Sequence, residues 1–228
     1  MIWFSNDDCT EFLTKYDGNG LPEGVLDAYN RLRPGAFKAD LWRLCILHYY
    51  GGIYIDAFAT PFISIDEMMK GVFSESDDSP KFVAALDPSF CGSGIHNGFI
   101  LASRGHPFIL ECIHQIIHNV KTKNYGDSVL DTTGPSRLRK AVAKVLGVED
   151  LKPHPGMNLR YKKRVTAGET LTLLPFYLFS LTFNLRQMMY KNDKPILSKK
   201  YSAFSFFYEK FKLGTSYHLL WKTGDVFE

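Results

Sequence analysis

Between Ala39 and Asp56 the chain reads Ala-Asp-Leu-Trp-Arg-Leu-Cys-Ile-Leu-His-Tyr-Tyr-Gly-Gly-Ile-Tyr-Ile-Asp. No other stretch narrows the fold as far. Phe37, Leu41, Leu44, Cys45 and His48 recur at three- and four-residue spacing, which is one face of a helix. Pro34 suits the first turn of that helix, and Gly51-Gly52 suits its end. Ile53 to Ile55 then reads as a short apolar strand that finishes on the carboxylate of Asp56. The C-terminal end of a strand is where open α/β sheets place ligand chemistry. Asp40 and Arg43 stand one turn apart on the otherwise apolar helix. Such a pair either closes on itself as an ion pair or clamps a polyhydroxylated ligand, the carboxylate accepting and the guanidinium donating.

The flanking sequence supplies alternating helices and strands. Ser5 or Asn6 can cap a first helix, with Asp7, Asp8 and Glu11 near its dipole-positive end. Pro22 can open a second helix that ends near Arg33. Phe82–Leu86 and Gly98–Ala102 read as strands around a flexible turn at Gly92–Gly94. Pro107 opens a helix with Phe108, Cys112, Ile113, Ile116 and Ile117 on its apolar side. Thr132-Thr133-Gly134-Pro135 opens another helix, with Thr133 as its cap. Further on, Leu171–Leu174 and Tyr217–Trp221 read as strands, and Lys191–Lys200 as a polar loop. The alternation implies an α/β class with a mixed, mainly parallel sheet flanked by helices. With 228 residues, no linker and no repeat, residues 1–228 read as a single domain.

Composition excludes several classes. A formal charge of +3 is too small for a nucleic-acid-binding protein. The longest apolar run, Leu171 to Phe183, is broken by Pro175 and too short for a transmembrane segment. Cys9, Cys45, Cys91 and Cys112 form no CxxC pair; Cys45 and Cys112 have apolar helical neighbours, so buried free thiols are expected, in a reducing compartment. His114 and His118 have the spacing of a zinc pair, but no third ligand follows and a helix face explains them. His106, ahead of Pro107, reads as structural.

Asp40, Arg43, Gly51-Gly52, Tyr54 and Asp56, in this order and spacing, resemble the signature of family 32 glycosyltransferases. That family includes initiating mannosyltransferases, and it is related to clostridial glucosylating toxins with the GT-A fold. The resemblance is close from Gly35 to Asp56 and weaker beyond. Asn97-Gly-Phe-Ile, the Thr-Gly-Pro turn at 133–135, and Tyr217-His218 with Trp221 follow in the family's order.

The resemblance implies a GT-A-like (Rossmann-like) fold and a retaining transferase. A hexose would pass from a nucleotide-diphosphate sugar, GDP-mannose or a UDP-hexose, to a glycan or other hydroxyl acceptor. Asp40 and Arg43 would hold the donor sugar, Tyr54 would line its site, and Asp56 would be the first carboxylate of a DxD motif. Asn97 would face the sugar or the acceptor. His218 would reach the diphosphate or its metal, and Trp3 would stack on the nucleotide base. The expected cofactor is a divalent metal, manganese or magnesium, held by Asp56 and His218. The expected setting is the cytoplasm, ahead of the Golgi lumen.

Two departures stand out. The motif reads Asp56-Ala57-Phe58, so a phenyl ring replaces the second carboxylate. A non-catalytic sugar- or partner-binding relative is the alternative that this raises. Met1–Phe4 reads as a short strand and is the one candidate for the family's first strand, although the helix after it resembles the family's second strand–helix unit, in which case the first strand is absent.

Overall fold

The structure is a computed structural model that describes residues 4–57, 59–69, 81–87, 94–149, 151, 161–165, 169–174, 176–181, 184–191, 194–202 and 217–228. The chain opens with α1 (Asn6–Tyr16), capped reciprocally by Ser5 and Asp8, and continues through α2 (Val25–Arg31) into α3 (Gly35–Tyr50). Gly51 ends α3 with φ +71°, and β1 (Gly52–Ile55) follows at once. A Cβ on Gly51 would lie 2.7 Å from the Arg104 amide nitrogen, so this turn requires glycine for its φ and for space. Next come β2 (Ala59–Pro61), α4 (Ile65–Met69), β3 (Lys81–Asp87) and β4 (Gly94–Ala102). The helices α5 (Pro107–Thr122) and α6 (Pro135–Val145) follow. The remaining elements are β5 (Tyr161–Val165), β6 (Glu169–Leu174), β7 (Phe176–Leu181), β8 (Asn184–Lys191), β9 (Lys194–Ser202) and α7 (Tyr217–Thr223).

One sheet has the order β1-β4-β3-β6-β5, and a second has the order β2-β9-β8-β7. The mainly parallel sheet expected from the alternating pattern is corrected here. Among the described strands, β3 and β6 pair in parallel, and every other pairing is antiparallel. The reason lies in the connections. Residues 88–93 are too few to carry a crossover, so β3 and β4 run antiparallel, whereas the long β3–β6 path has room for α5 and α6.

Two further readings change. Tyr217–Trp221 belongs to α7 rather than to a strand. Lys191–Lys200 is not a loop, because β8 and β9 pair antiparallel through it, Lys191 opposite Lys194. Both stretches are short, and residue type outweighed periodicity in reading them. The basic run Lys162 to Arg164 lies on β5. The expected strand at Met1–Phe4 and the turn residues 92–93 lie outside the described residues, Phe4 excepted.

The core lies between the helices and the β3–β4 pair. Leu13, Leu41, Phe82, Ile100, Ile113 and Val226 are among its buried side chains. Cys45 and Cys112 are buried free thiols, as expected, and Cys9 is another; burial pushes the thiols of Cys45 and Cys112 up, which makes them inert. Cys91 lies outside the described residues. Among the described residues, no helix is long and apolar enough to cross a membrane.

His106 shows how a polar group is tolerated in this core. It is the N-cap of α5, and its Nδ1 accepts from the Phe108 amide at 3.2 Å. The ring is fully buried beside Phe82 and Phe108, and burial pushes its pKa down to about 4. An unfolded imidazole titrates near 6.5. The stability that depends on the neutral ring is therefore complete above that value and is lost as pH falls toward 4. The expected size is on the order of 3 kcal/mol at the low-pH limit. Thermal unfolding followed from pH 7.5 to pH 5 should show the melting temperature falling. His106→Asn keeps a capping acceptor without the titration, so it should lower stability at pH 7.5 but flatten the pH dependence.

Candidate functional site

Helix periodicity brings Asp40 and Arg43 to one side of α3, and the turn at Gly51 brings β1 back so that Tyr54 and Asp56 face them. The guanidinium of Arg43 lies at the centre. It contacts Asp40 Oδ1 at 3.2 Å and Asp56 Oδ1 at 3.6 Å. It donates to the Asn97 carbonyl at 2.5 Å, and its Nε donates back to the Ala39 carbonyl at 3.3 Å. Its Cζ stands 4.7 Å from the centre of the Tyr54 ring, a cation–π stack. The Tyr54 hydroxyl donates to Asp56 Oδ1 at 3.2 Å.

Strand β4 completes the group. Its pairing with β3 slips between Ala84, opposite Ile100, and Ala85, opposite His96. The slip leaves Asn97, Gly98 and Phe99 bulged on that side, and bulges re-aim side chains. Asn97 Nδ2 donates to Asp40 Oδ1 at 2.7 Å. Gly98 accepts the Asp56 amide at 2.9 Å. A Cβ on Gly98 would lie 2.6 Å from Asp56 Oδ2 and 2.7 Å from His96 Cε1, so the carboxylate can approach because residue 98 has no side chain. His96 is buried, and its Nδ1 accepts from the Gly98 amide at 3.2 Å.

A further donor comes from the turn before α6. Thr133 Oγ1 donates to Asp40 Oδ2 at 2.8 Å across 93 residues of sequence. Thr133 does not cap α6 as expected: the N-cap is Gly134, with no side-chain capping bond. This contact was missed because a threonine before Gly-Pro carries the ordinary signature of a helix start. The signal that could have found it is the second threonine in a turn that needs at most one cap.

The side chains of Asp40, Arg43 and Asp56 are 13%, 8% and 20% exposed, so the cluster opens most widely at Asp56. Burial pushes the Asp40 carboxyl up. Arg43 opposes that rise, as do the Thr133 and Asn97 hydrogen bonds, while the charge of Asp56 adds to it. Burial pushes the Tyr54 phenol up to about 12, with Arg43 opposing, so the hydroxyl stays a donor. Chemically, the arrangement offers carboxylate oxygens to hydroxyl donors, and a guanidinium and an amide to acceptors.

The structure thus brings together Asp40, Arg43, Tyr54, Asp56 and Asn97. Trp3 and Phe58 lie outside the described residues, and so does the His218 side chain, although residue 218 is part of α7. His114 and His118 are both exposed on α5. Among the described residues there is no cluster of three His, Cys, Asp or Glu side chains that could hold a metal ion.

Residues 4–72 match the model of a family described as a glycosyltransferase sugar-binding region containing a DXD motif. That span includes Asp40, Arg43, Tyr54 and Asp56, and it stops short of Asn97 and Thr133. No curated protein matches the chain. Among solved structures, the chain is similar to the PaToxG glycosyltransferase, with 20% identity and a TM-score of 0.36 over 49% of this chain. It spans 36% of that structure's length.

Removing the shared cation tests the geometry directly. Arg43→Ala leaves two facing carboxylates without a counter-charge, and the loss should be roughly 3 kcal/mol at neutral pH. Urea unfolding is the measurement. The deficit should shrink toward pH 4, because the Asp40 carboxyl, which burial has already pushed up, protonates first and stops repelling Asp56.

Proposed function

We propose that this chain is a glycosyltransferase-type domain of GT-A-like fold that holds the sugar of a nucleotide-diphosphate donor in the Asp40–Arg43 clamp. The reaction proposed is transfer of a hexose, with retention, to a hydroxyl of a glycan or other acceptor. The observation that carries the reading is the convergence of Asp40, Asp56 and Asn97 on one guanidinium. Three of these four residues lie within the span that is similar to a sugar-binding region.

Each residue then has a definite task. Asp40 accepts from a ring hydroxyl, and Arg43 donates to a neighbouring oxygen while holding Asp56 in place. Tyr54 supports the guanidinium from its face, and Asn97 faces the sugar or the incoming acceptor. Attack from the leaving-group side on an oxocarbenium-like carbon needs no protein nucleophile, and none is assigned. Family 32 is the closer affiliation proposed, with GDP-mannose or a UDP-hexose as donor.

A divalent cation fits these residues poorly. At the motif the chain offers the carboxylate of Asp56, whose Oδ1 is already engaged by Tyr54 and Arg43, and position 58 carries a phenyl ring with no ligand atom. DXD families are generally dependent on divalent metal, yet this donor set does not make a metal site by itself. The Phe58 substitution also favours a second reading, a domain that binds a nucleotide sugar without turning it over.

The test is calorimetric binding of GDP-mannose and UDP-hexoses, with chromatography of hydrolysis and transfer products, each with and without manganese. The wild-type protein should bind at least one donor. Asp40→Asn and Arg43→Lys should each weaken binding about 10- to 100-fold, the usual loss for a hydrogen bond to a charged group. Phe58→Asp should raise manganese dependence. Binding without any product would establish the non-catalytic reading, and failure to bind any nucleotide sugar would overturn both.

A further inference from the structure

The hydrogen bond from Thr133 to Asp40 ends a tether that begins deep in the protein. Asp131 is 2% exposed and contacts Arg137 Nη2 at 3.2 Å and Lys140 Nζ at 2.7 Å. It also accepts the Asp127 amide at 2.9 Å, and Arg137 Nε donates to its carbonyl at 2.8 Å. Thr132 is buried, with its carbonyl accepting from Asn119 Nδ2 at 3.1 Å and its hydroxyl donating to the Tyr125 carbonyl at 2.7 Å. Trp221 Nε1 donates to that same carbonyl at 3.0 Å, which ties α7 to the loop. With residues 131 and 132 fixed on both sides, Thr133 has little freedom. A Cβ on the adjacent Gly134 would lie 3.1 Å from the Leu130 carbonyl oxygen and 3.4 Å from Asp40 Oδ2, so the turn is seated closely against the clamp.

The distribution of donors over Asp40 gives this tether its meaning. Oδ1 accepts from Asn97 and faces Arg43 in an ion pair. Oδ2 meets Thr133, which uses one of its lone pairs. One acceptor position therefore remains on Oδ2 for a ligand hydroxyl, and not two. The terminal torsion of an aspartate is broad and two-fold, so its plane is set by partners on both oxygens. Among the described hydrogen bonds, Thr133 supplies the one on Oδ2.

We propose that Thr133 is a positioning residue of the donor-sugar clamp: its hydroxyl, held by the buried Asp131–Arg137 anchor, fixes the Asp40 carboxylate so that Oδ2 presents a single acceptor to one sugar hydroxyl. This rests on the reading of Asp40 and Arg43 as a donor-sugar site. Loss of the Thr133 hydroxyl removes a hydrogen bond that favours the ionised carboxylate and frees its plane to rotate. Threonine and valine have nearly the same shape, so the change is chemical rather than steric.

Thr133→Val and Thr133→Ser separate the possibilities, with thermal melts to show that both fold. In the ligand-free protein, the Asp40 carboxyl carbon is titrated by NMR. Valine should move its midpoint to higher pH, and serine should leave it at the wild-type value. Nucleotide-sugar binding is then measured across pH. Valine should weaken it about tenfold and move its acidic limit upward, serine should restore both, and the bare nucleotide should bind as before. If the wild-type protein binds nucleotide sugar and valine matches it at every pH, Thr133 has no positioning role. If valine moves the Asp40 titration but the wild-type protein binds no nucleotide sugar, the donor-site reading has failed and the proposal falls with it.

Discussion

One guanidinium, that of Arg43, lies between the carboxylates of Asp40 and Asp56, and the local architecture can be followed outward from it. Two carboxylates this little exposed need a cation, and a planar fork can meet both where a lysine ammonium would favour one. Desolvating these charges costs much of what their attraction returns, so the cluster is weak evidence of stability. What it secures is geometry. Asp56 reaches Arg43 because β1 turns back along α3, and that turn depends on Gly51 at φ +71°, packed against the Arg104 amide. Asn97 reaches Asp40 and Arg43 because β4 lies beside β1 and bulges where it faces β3.

How much of this was legible in the sequence depended on the range of the interaction. The run from Phe37 to Asp56 could be read because helix period, glycine break and apolar strand are all local signals, and they agree with one another. Asp40 and Arg43 stood out as polar residues on an apolar helix, yet their spacing alone allowed a simple ion pair. That pair is present at 3.2 Å, and the third and fourth partners give it a further meaning. Those partners come from β4 and from the turn before α6, and nothing within a helix window reports on them. Composition misled elsewhere: the aromatic Tyr217–Trp221 suggested a strand but is helical, and the lysine-rich stretch around Lys191 suggested a loop but is paired. The sheet direction was misjudged for another reason, since alternation of element types does not fix strand direction when connections are short.

The Asp131 cluster belongs to the same account, because a buried carboxylate there anchors a loop whose only polar reach toward α3, among the described hydrogen bonds, is Thr133. Asn119 on α5 and Trp221 on α7 brace that loop from two other directions. The clamp is thus bounded by four separate parts of the chain: a helix, the strand that follows it, the bulge in a central strand, and a braced turn. A displacement in any one changes the donors that surround Asp40.

The charge of the assembly bears on which part of the proposed donor it would suit. Two carboxylates and one guanidinium leave a net negative charge when both acids are ionised. A phosphate brought against it would be repelled, whereas a hydroxyl that donates to Asp40 and accepts from Arg43 would meet complementary groups. Arg137 and Lys140 on α6 are already committed to Asp131 and Asp127. Asp56 Oδ1 likewise meets Arg43 and Tyr54, where it acts as a counter-charge for the guanidinium. Asp56 thus has a task beside Arg43 whatever residue stands at position 58.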